Sequence, residues 1–218
     1  MFILGYIVVA IAAYLLGSIP TGFLVAKARG VDIRSVGSGN IGAANTFRAV
    51  GKIAGIIVLL LDALKGFAAV EVTDLILNCL GVTGMDRENY RIVAGIFAVL
   101  GHNYTCWLAF KGGKGIATSA GVYLALAPLA VLYAVVAFIV GFGLTRITSV
   151  GSILASIALP TAVWFTKDNW TLRIVTIVLG ILALLRHRTN INRLIAGTEN
   201  RVAFRKRPPD PGKPDSAV

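Results

Sequence analysis

The chain has 218 residues, 56% of them hydrophobic, and a net charge of +11, with a mean hydropathy of +0.79. That composition excludes an ordinary soluble globular domain, because the apolar residues fall in runs of membrane length. The basic surplus clusters between those runs, which fits anionic lipid headgroups and small phosphorylated ligands better than a nucleic-acid face.

The first 26 residues carry no charge and lack the positive n-region of a cleavable signal, so 2–26 reads as a retained first span with its N-terminus outside. Further apolar segments lie at about 50–72, 91–110, 116–144, 148–166 and 170–186, and each must be helical to satisfy its backbone in lipid. Six spans would export Arg186, Arg188, Arg193, Arg201, Arg205, Lys206 and Arg207, against the positive-inside tendency. The run 116–144 is longer than the roughly 20 residues a span needs. With Pro128 in its middle, it divides into two short helices, 116–127 and 129–145, turning on the outer side. The expected fold is therefore an all-α integral membrane protein of about seven transmembrane helices, some short or broken, with a cytoplasmic C-terminus. Residues 1–196 form one membrane domain and 197–218 a basic, proline-rich disordered tail. Cys79 and Cys106 lie in or beside apolar runs, support no disulfide or metal framework, and read as buried free thiols.

Between the first two spans stands Gly37–Arg48, G-S-G-N-I-G-A-A-N-T-F-R. Gly37, Gly39 and Gly42 free the backbone, Ser38, Asn40, Asn45 and Thr46 supply hydrogen bonds, and Arg48 adds a planar fork suited to phosphate. A second cluster, K-G-G-K-G-I-A-T, opens the helix after residue 115: Gly112, Gly113 and Gly115 again loosen the backbone while Lys111 and Lys114 bring charge. The plain alternative is a basic turn that only fixes orientation. In R-H-R-T-N-I-N-R, Arg186 to Arg193, a stop-transfer end explains the arginines but neither His187 nor Asn190, which lie three apart on one helical face. Arg146, Thr148, Ser149 and Ser152 join the same rim. Within the second span, Asp62 and Lys65 are spaced to pair, since a lone charge there costs about 2.5–3.5 kcal/mol. His102 reads as a buried, hydrogen-bonded core histidine. The Gly37-x-Gly39-x-x-Gly42 spacing with Asp62 beyond it mimics a dinucleotide fingerprint, but no βαβ context surrounds it. There is no Walker A motif, and neither a G-x-S-x-G elbow nor a Cys-His arrangement.

Together, G-S-G-N-I-G-A-A-N-T-F-R, L-D-A-L-K-G, G-H-N-Y, K-G-G-K-G-I-A-T and R-H-R-T-N-I-N-R, in this order from about Gly17 to Gly197, resemble the bacterial acyl-phosphate:glycerol-3-phosphate acyltransferases. The resemblance implies a multi-pass enzyme of the bacterial inner membrane, active on its cytoplasmic face. It would move a fatty acyl group from acyl phosphate to glycerol 3-phosphate, giving lysophosphatidic acid and inorganic phosphate, the first step of phospholipid synthesis, with no metal or cofactor. It implies catalytic roles for Ser38, Arg48, Lys114, His187 and Asn190. Substrate contacts are expected from Gly37, Gly39, Asn40, Gly42, Asn45, Lys111, Gly112, Gly113, Gly115, Thr118 and Ser149. Implied partners are acyl phosphate, glycerol 3-phosphate and membrane lipid, with the soluble acyl-phosphate-producing enzyme a candidate on the basic face and no nucleic acid. Two positions depart from the family: Ala44 replaces a common Thr, and Thr189 replaces a common Glu, so an acidic role there is absent or met elsewhere. The rival reading is a membrane transporter of a phosphorylated solute, against which stands the gathering of polar clusters on one rim instead of the midplane.

Overall fold

The computed structural model describes residues 2–82 and 87–202. Among them there are helices and no strand: α1 Phe2–Ser18, α2 Thr21–Lys27, α3 Ala43–Ala49, α4 Lys52–Cys79, α5 Arg87–Asn103, α6 Ile116–Leu126, α7 Pro128–Thr145, α8 Thr148–Thr166, α9 Trp170–Arg186 and α10 Arg188–Ile195. Four stretches are long and apolar enough to cross a membrane: Phe2–Lys27, Lys52–Cys79, Pro128–Thr145 and Thr148–Thr166. A fifth is reached only by α9 and α10 taken together across a bend of 55°. The chain is thus a multi-pass, all-helical membrane protein. Its outer helices leave whole apolar faces uncovered, such as Leu132, Val136, Ile139 and Val140 of α7, as lipid-facing helices do.

α5 is the hub. Tyr90, Ile92, Ala94, Ala98 and Val99 are buried in a core shared with α1, α4, α6 and α9. Being wrapped in protein, it tolerates an N-terminal turn too polar for lipid: Arg91 pairs with Glu71 at 2.5 Å and Asp74 at 3.1 Å, and Arg87 bonds Asn78 at 2.6 Å. Those pairs also explain why α4 runs on to Cys79, seven residues past the apolar run that ends at about 72. α5 in turn stops at Asn103, short of the expected 110, and the chain leaves through a single 3-10 turn, Cys106–Leu108.

Two breaks shape the bundle. α6 ends at Leu126 and α7 begins at Pro128 in its first turn, with Ala127 at φ −151° and ψ 67°, close to the division expected at this proline. At the other break, Pro20 separates α1 from α2 and frees carbonyls of the preceding turn. Protein groups take them up: Thr105 Oγ1 donates to the Ser18 carbonyl at 2.6 Å and Lys65 Nζ to that of Ile19 at 2.8 Å. Lys65 also meets Asp62 at 2.9 Å, as the spacing predicts. Asp62 further accepts from Thr21 Oγ1 at 2.5 Å and lies 3.4 Å from His102 Nδ1. His102 is therefore a member of this ionic knot, beyond the plain core histidine expected of it.

One expectation needs correcting. Cys79 and Cys106 are both exposed, because one ends α4 and the other sits on the outward side of the 3-10 turn. At the start of the tail expected from 197, the Val202 amide donates to the Arg146 carbonyl at 2.8 Å, while Thr198, Asn200 and Arg201 are exposed. Its proline-rich part, 203–218, lies outside the described residues.

Close helix crossings rest on small residues. At Gly121 of α6 a Cβ would run into the Ala63 carbonyl of α4, whereas at Gly143 of α7 it would meet nothing within 4 Å. Gly121→Ala is expected to lower thermal stability in detergent by about 1–3 kcal/mol, and Gly143→Ala to leave it unchanged; equal melting temperatures would refute this packing.

Candidate active site

The loop 30–42 is folded around one side chain. Asn45, at the start of α3, accepts from the Ser38 amide at 2.9 Å and donates to the carbonyls of Val36 and Ile33 at 3.0 and 3.3 Å. Asn45 is 1% exposed, and its amide is engaged with the loop. Gly37 adopts φ +60° with the Asn45 side chain directly against it, so a side chain there is barred twice over. Asn40 Oδ1 accepts from the Gly42 amide at 2.8 Å and turns the chain into α3. One turn on, Arg48 projects half-buried and makes no hydrogen bond or ion pair among the described residues. Burial lowers its pKa from the ordinary value, partly offset by Glu199.

The second glycine loop stands on the end of α5. The Gly112 and Gly113 amides donate to the Asn103 and His102 carbonyls at 3.1 and 3.0 Å, and a side chain on Gly113 would collide with the His102 ring. These amides cap α5. From the far side Arg186 closes the loop, donating to the Gly113, Gly112 and Asn103 carbonyls at 2.8, 3.2 and 3.3 Å. Its guanidinium also lies 5.1 Å from the Tyr104 ring. Gly115, at φ +84°, starts α6. Lys111 is exposed, and Thr118 is fully buried where α6 crosses Gly66 of α4, so neither joins the charged cluster.

What the loop presents is Lys114. Its ammonium donates to Asn190 Oδ1 of α10. Burial pulls its pKa down to about 8, with Glu199 opposing and Arg193, Arg48 and Arg186 adding to the fall. His187 sits at the bend between α9 and α10, outside the span and 2% exposed. Its Nδ1 lies 2.8 Å from the Ala183 carbonyl, an acceptor that requires a proton on Nδ1 and leaves Nε2 of the neutral ring with a free lone pair. Burial and then Lys114 hold the ring neutral, with a pKa of about 4.

A residue that the motif reading passed over organises the rest. Glu199 accepts from Asn190 Nδ2 at 2.6 Å, Ser149 Oγ at 3.0 Å and Arg193 Nε at 2.7 Å. Ser149 is thus bonded to this carboxylate. The signal for it was present: Glu199 is the only acid between Asp168 and Asp210, in a segment crowded with arginine. The structure so gathers Arg48, Lys114, His187, Asn190 and Ser149 with Glu199 and Arg193, and ties Ser38 to α3 through Asn45. Adjoining this cluster is an apolar groove of about 270 Å³ between α6, α7, α8 and α9, lined by Ile116, Tyr123, Ala134, Phe138, Leu159 and Ala183 among others.

Half-buried cations and a neutral histidine at one rim of a lipid-facing helical bundle, beside an apolar groove, define a membrane protein suited to an anion that carries an apolar chain. Residues 7–197 match the family described as glycerol-3-phosphate acyltransferase. The chain is 45% identical to the glycerol-3-phosphate acyltransferase of Geobacter sulfurreducens over 91% of its length and 98% of the relative's. It is 50% identical to that of Geobacter metallireducens over 87% and 93%. Its fold is similar to the crystal structure of PlsY (YgiH), an integral membrane glycerol 3-phosphate acyltransferase, in the glycerol 3-phosphate form. That match has a TM-score of 0.82 and 39% identity over 91% of this chain and 96% of that one. The lysophosphatidic acid form gives a TM-score of 0.79 at 38% identity. The chain belongs to the glycerol-3-phosphate acyltransferase family.

The ammonium of Lys114 is the form that grips an anion. Titrated with inorganic phosphate, the protein is expected to bind best below about pH 8 and to lose about tenfold in affinity per unit above it. Lys114→Arg should carry that alkaline loss out of range, since guanidinium stays charged. A flat profile between pH 7 and 9.5 would remove Lys114 from the anion site.

Proposed function

We propose that this enzyme transfers a fatty acyl group from acyl phosphate to the primary hydroxyl of glycerol 3-phosphate, releasing lysophosphatidic acid and inorganic phosphate. The observation that carries the reading is the convergence of Arg48, Lys114, His187 and Asn190, drawn from three separate segments, beside an apolar groove. Arg48, Lys114 and Asn190 hold the acceptor's phosphate. The turn at Ser38, Gly39 and Asn40 holds the phosphate of the donor, whose acyl chain lies in the groove between α6 and α9. The neutral His187 takes the hydrogen bond of the acceptor hydroxyl at Nε2. The hydroxyl oxygen attacks the acyl carbonyl, the bond to the phosphate oxygen breaks, and the hydroxyl proton finishes on the departing phosphate. A mixed anhydride leaves readily, so orientation and charge stabilisation suffice without an acyl-enzyme.

The arrangement in the membrane follows from parity. For Arg48, Lys114, Ser149 and His187 to share one side, an even number of crossings must separate each from the next. α4 with α5 and α8 with α9 meet this directly; α6 and α7 meet it only as a hairpin turned at Pro128. Matching positions on either side of the proline, Tyr123 with Val131 and Ala120 with Ala134, line the same groove, which supports the hairpin. The count is then seven, with the N-terminus outside and the site on the cytoplasmic face of the bacterial inner membrane, where positive charge belongs. The membrane domain extends through the Thr198–Val202 segment, and the soluble enzyme that supplies acyl phosphate would dock on the basic cytoplasmic face.

Purified in detergent, the protein is expected to form lysophosphatidic acid and phosphate from glycerol 3-phosphate and acyl phosphate. His187→Ala should cut turnover by about 10²–10⁴ with folding unchanged. Solute flux in vesicles without chemical change would replace the enzyme with a transporter, and near-normal turnover would remove His187 from the site. The native thiols report topology: an impermeant thiol reagent applied outside intact cells should label Cys79 and spare Cys106. Equal labelling would break the seven-crossing arrangement.

A further inference from the structure

Beyond α10 the chain doubles back as a strap, Thr198–Val202, fastened to the α7–α8 turn through the Arg146 carbonyl. It delivers into the cluster the single carboxylate found there among the described residues, Glu199, whose side chain is 4% exposed. We propose that Glu199 is a positioning residue for acyl transfer, setting Asn190, and through it the Lys114 ammonium, in register for the acceptor's phosphate. This rests on the reading of Lys114 and Asn190 given under the proposed function.

The geometry leaves little freedom. A carboxylate only accepts and an ammonium only donates. Asn190 lies between the two, so its Nδ2 must face Glu199 and its Oδ1 must face Lys114, as observed. One carboxylate oxygen serves Asn190 of α10 and Ser149 of α8, and the other serves Arg193. A single group thereby fixes the separation of two helices and the orientation of the amide between them.

Charge adds a second reason. Around Lys114 stand Arg48 on α3, Arg186 on α9, Arg193 on α10 and the neutral His187 at the bend, with Glu199 the counter-charge. One anion against four cations keeps the ammonium protonated yet leaves a positive surplus for phosphate. Without that anion the cations repel one another, and the cheapest relief is for Lys114 to give up its proton.

The full-length Glu199→Gln variant keeps the side-chain shape and removes the charge. Its pH profile of kcat/KM for glycerol 3-phosphate is expected to lose its alkaline limb about one unit lower than that of the parent, with KM raised more than kcat is lowered. Glu199→Asp, which retains the charge but pulls it back, is expected to shift the limb less and in the same direction, and stands in if the glutamine variant does not fold. A merely structural strap would lower the melting temperature and leave the limb in place; an unmoved limb and KM in a folded variant overturn the proposal. Lys114→Ala separates the two readings. If it is active, the assignment of the acceptor site fails; if it is inactive while the Glu199 variants titrate like the parent, only the role of Glu199 fails.

Discussion

A charge buried in a membrane helix must be answered by protein, and Asp62 is answered three times, by Lys65, Thr21 and His102. In lipid each of these groups alone costs several kcal/mol; together they hold three elements that the hydrophobic effect cannot align, since lipid is as apolar as a helix face. Lys65 fills the carbonyl freed at Pro20, so the bend between α1 and α2 and the ionic knot support one another. His102 extends the knot to the end of α5, where the Lys111–Gly115 loop is built.

From that end the charged rim is assembled by packing. The glycines of the second loop are there because the backbone lies flat on the His102 ring, and Arg186 fixes it from the other side. The result points Lys114 at α10, which the 55° bend after α9 has turned across the rim. A straight continuation of α9 would carry Asn190 away along the helix axis. The bend and the loop are therefore complementary parts of one device, and on the proposed reading the strap carrying Glu199 locks it.

The polar side chains of this family member divide into those engaged within the fold and those that keep free polar atoms at the rim. Asn45 and Arg186 each have the chemistry of a ligand contact, yet the fold engages them as an internal strut and a clamp. Arg48 and the Nε2 of His187 are left over. Residue type and spacing cannot separate these groups, because a spent amide and an available one look alike until their partners are known.

By itself the sequence determined the class: apolar runs of bilayer length enforce helices, and the ordered glycine-rich and basic motifs mark an acyltransferase of this family, because local periodicity and short-range backbone chemistry are written residue by residue. The division of the 116–144 run at Pro128 and the Asp62–Lys65 pair were likewise legible, being set by one proline and a one-turn spacing. Tertiary structure alone decided that α4 runs on through Asp74 to meet Arg91, that both cysteines are exposed, and that Glu199 returns from beyond α10 to the charged rim. Those outcomes depend on contacts between segments far apart in the chain, and the electrostatic cost of a buried charge is settled only when its partners arrive.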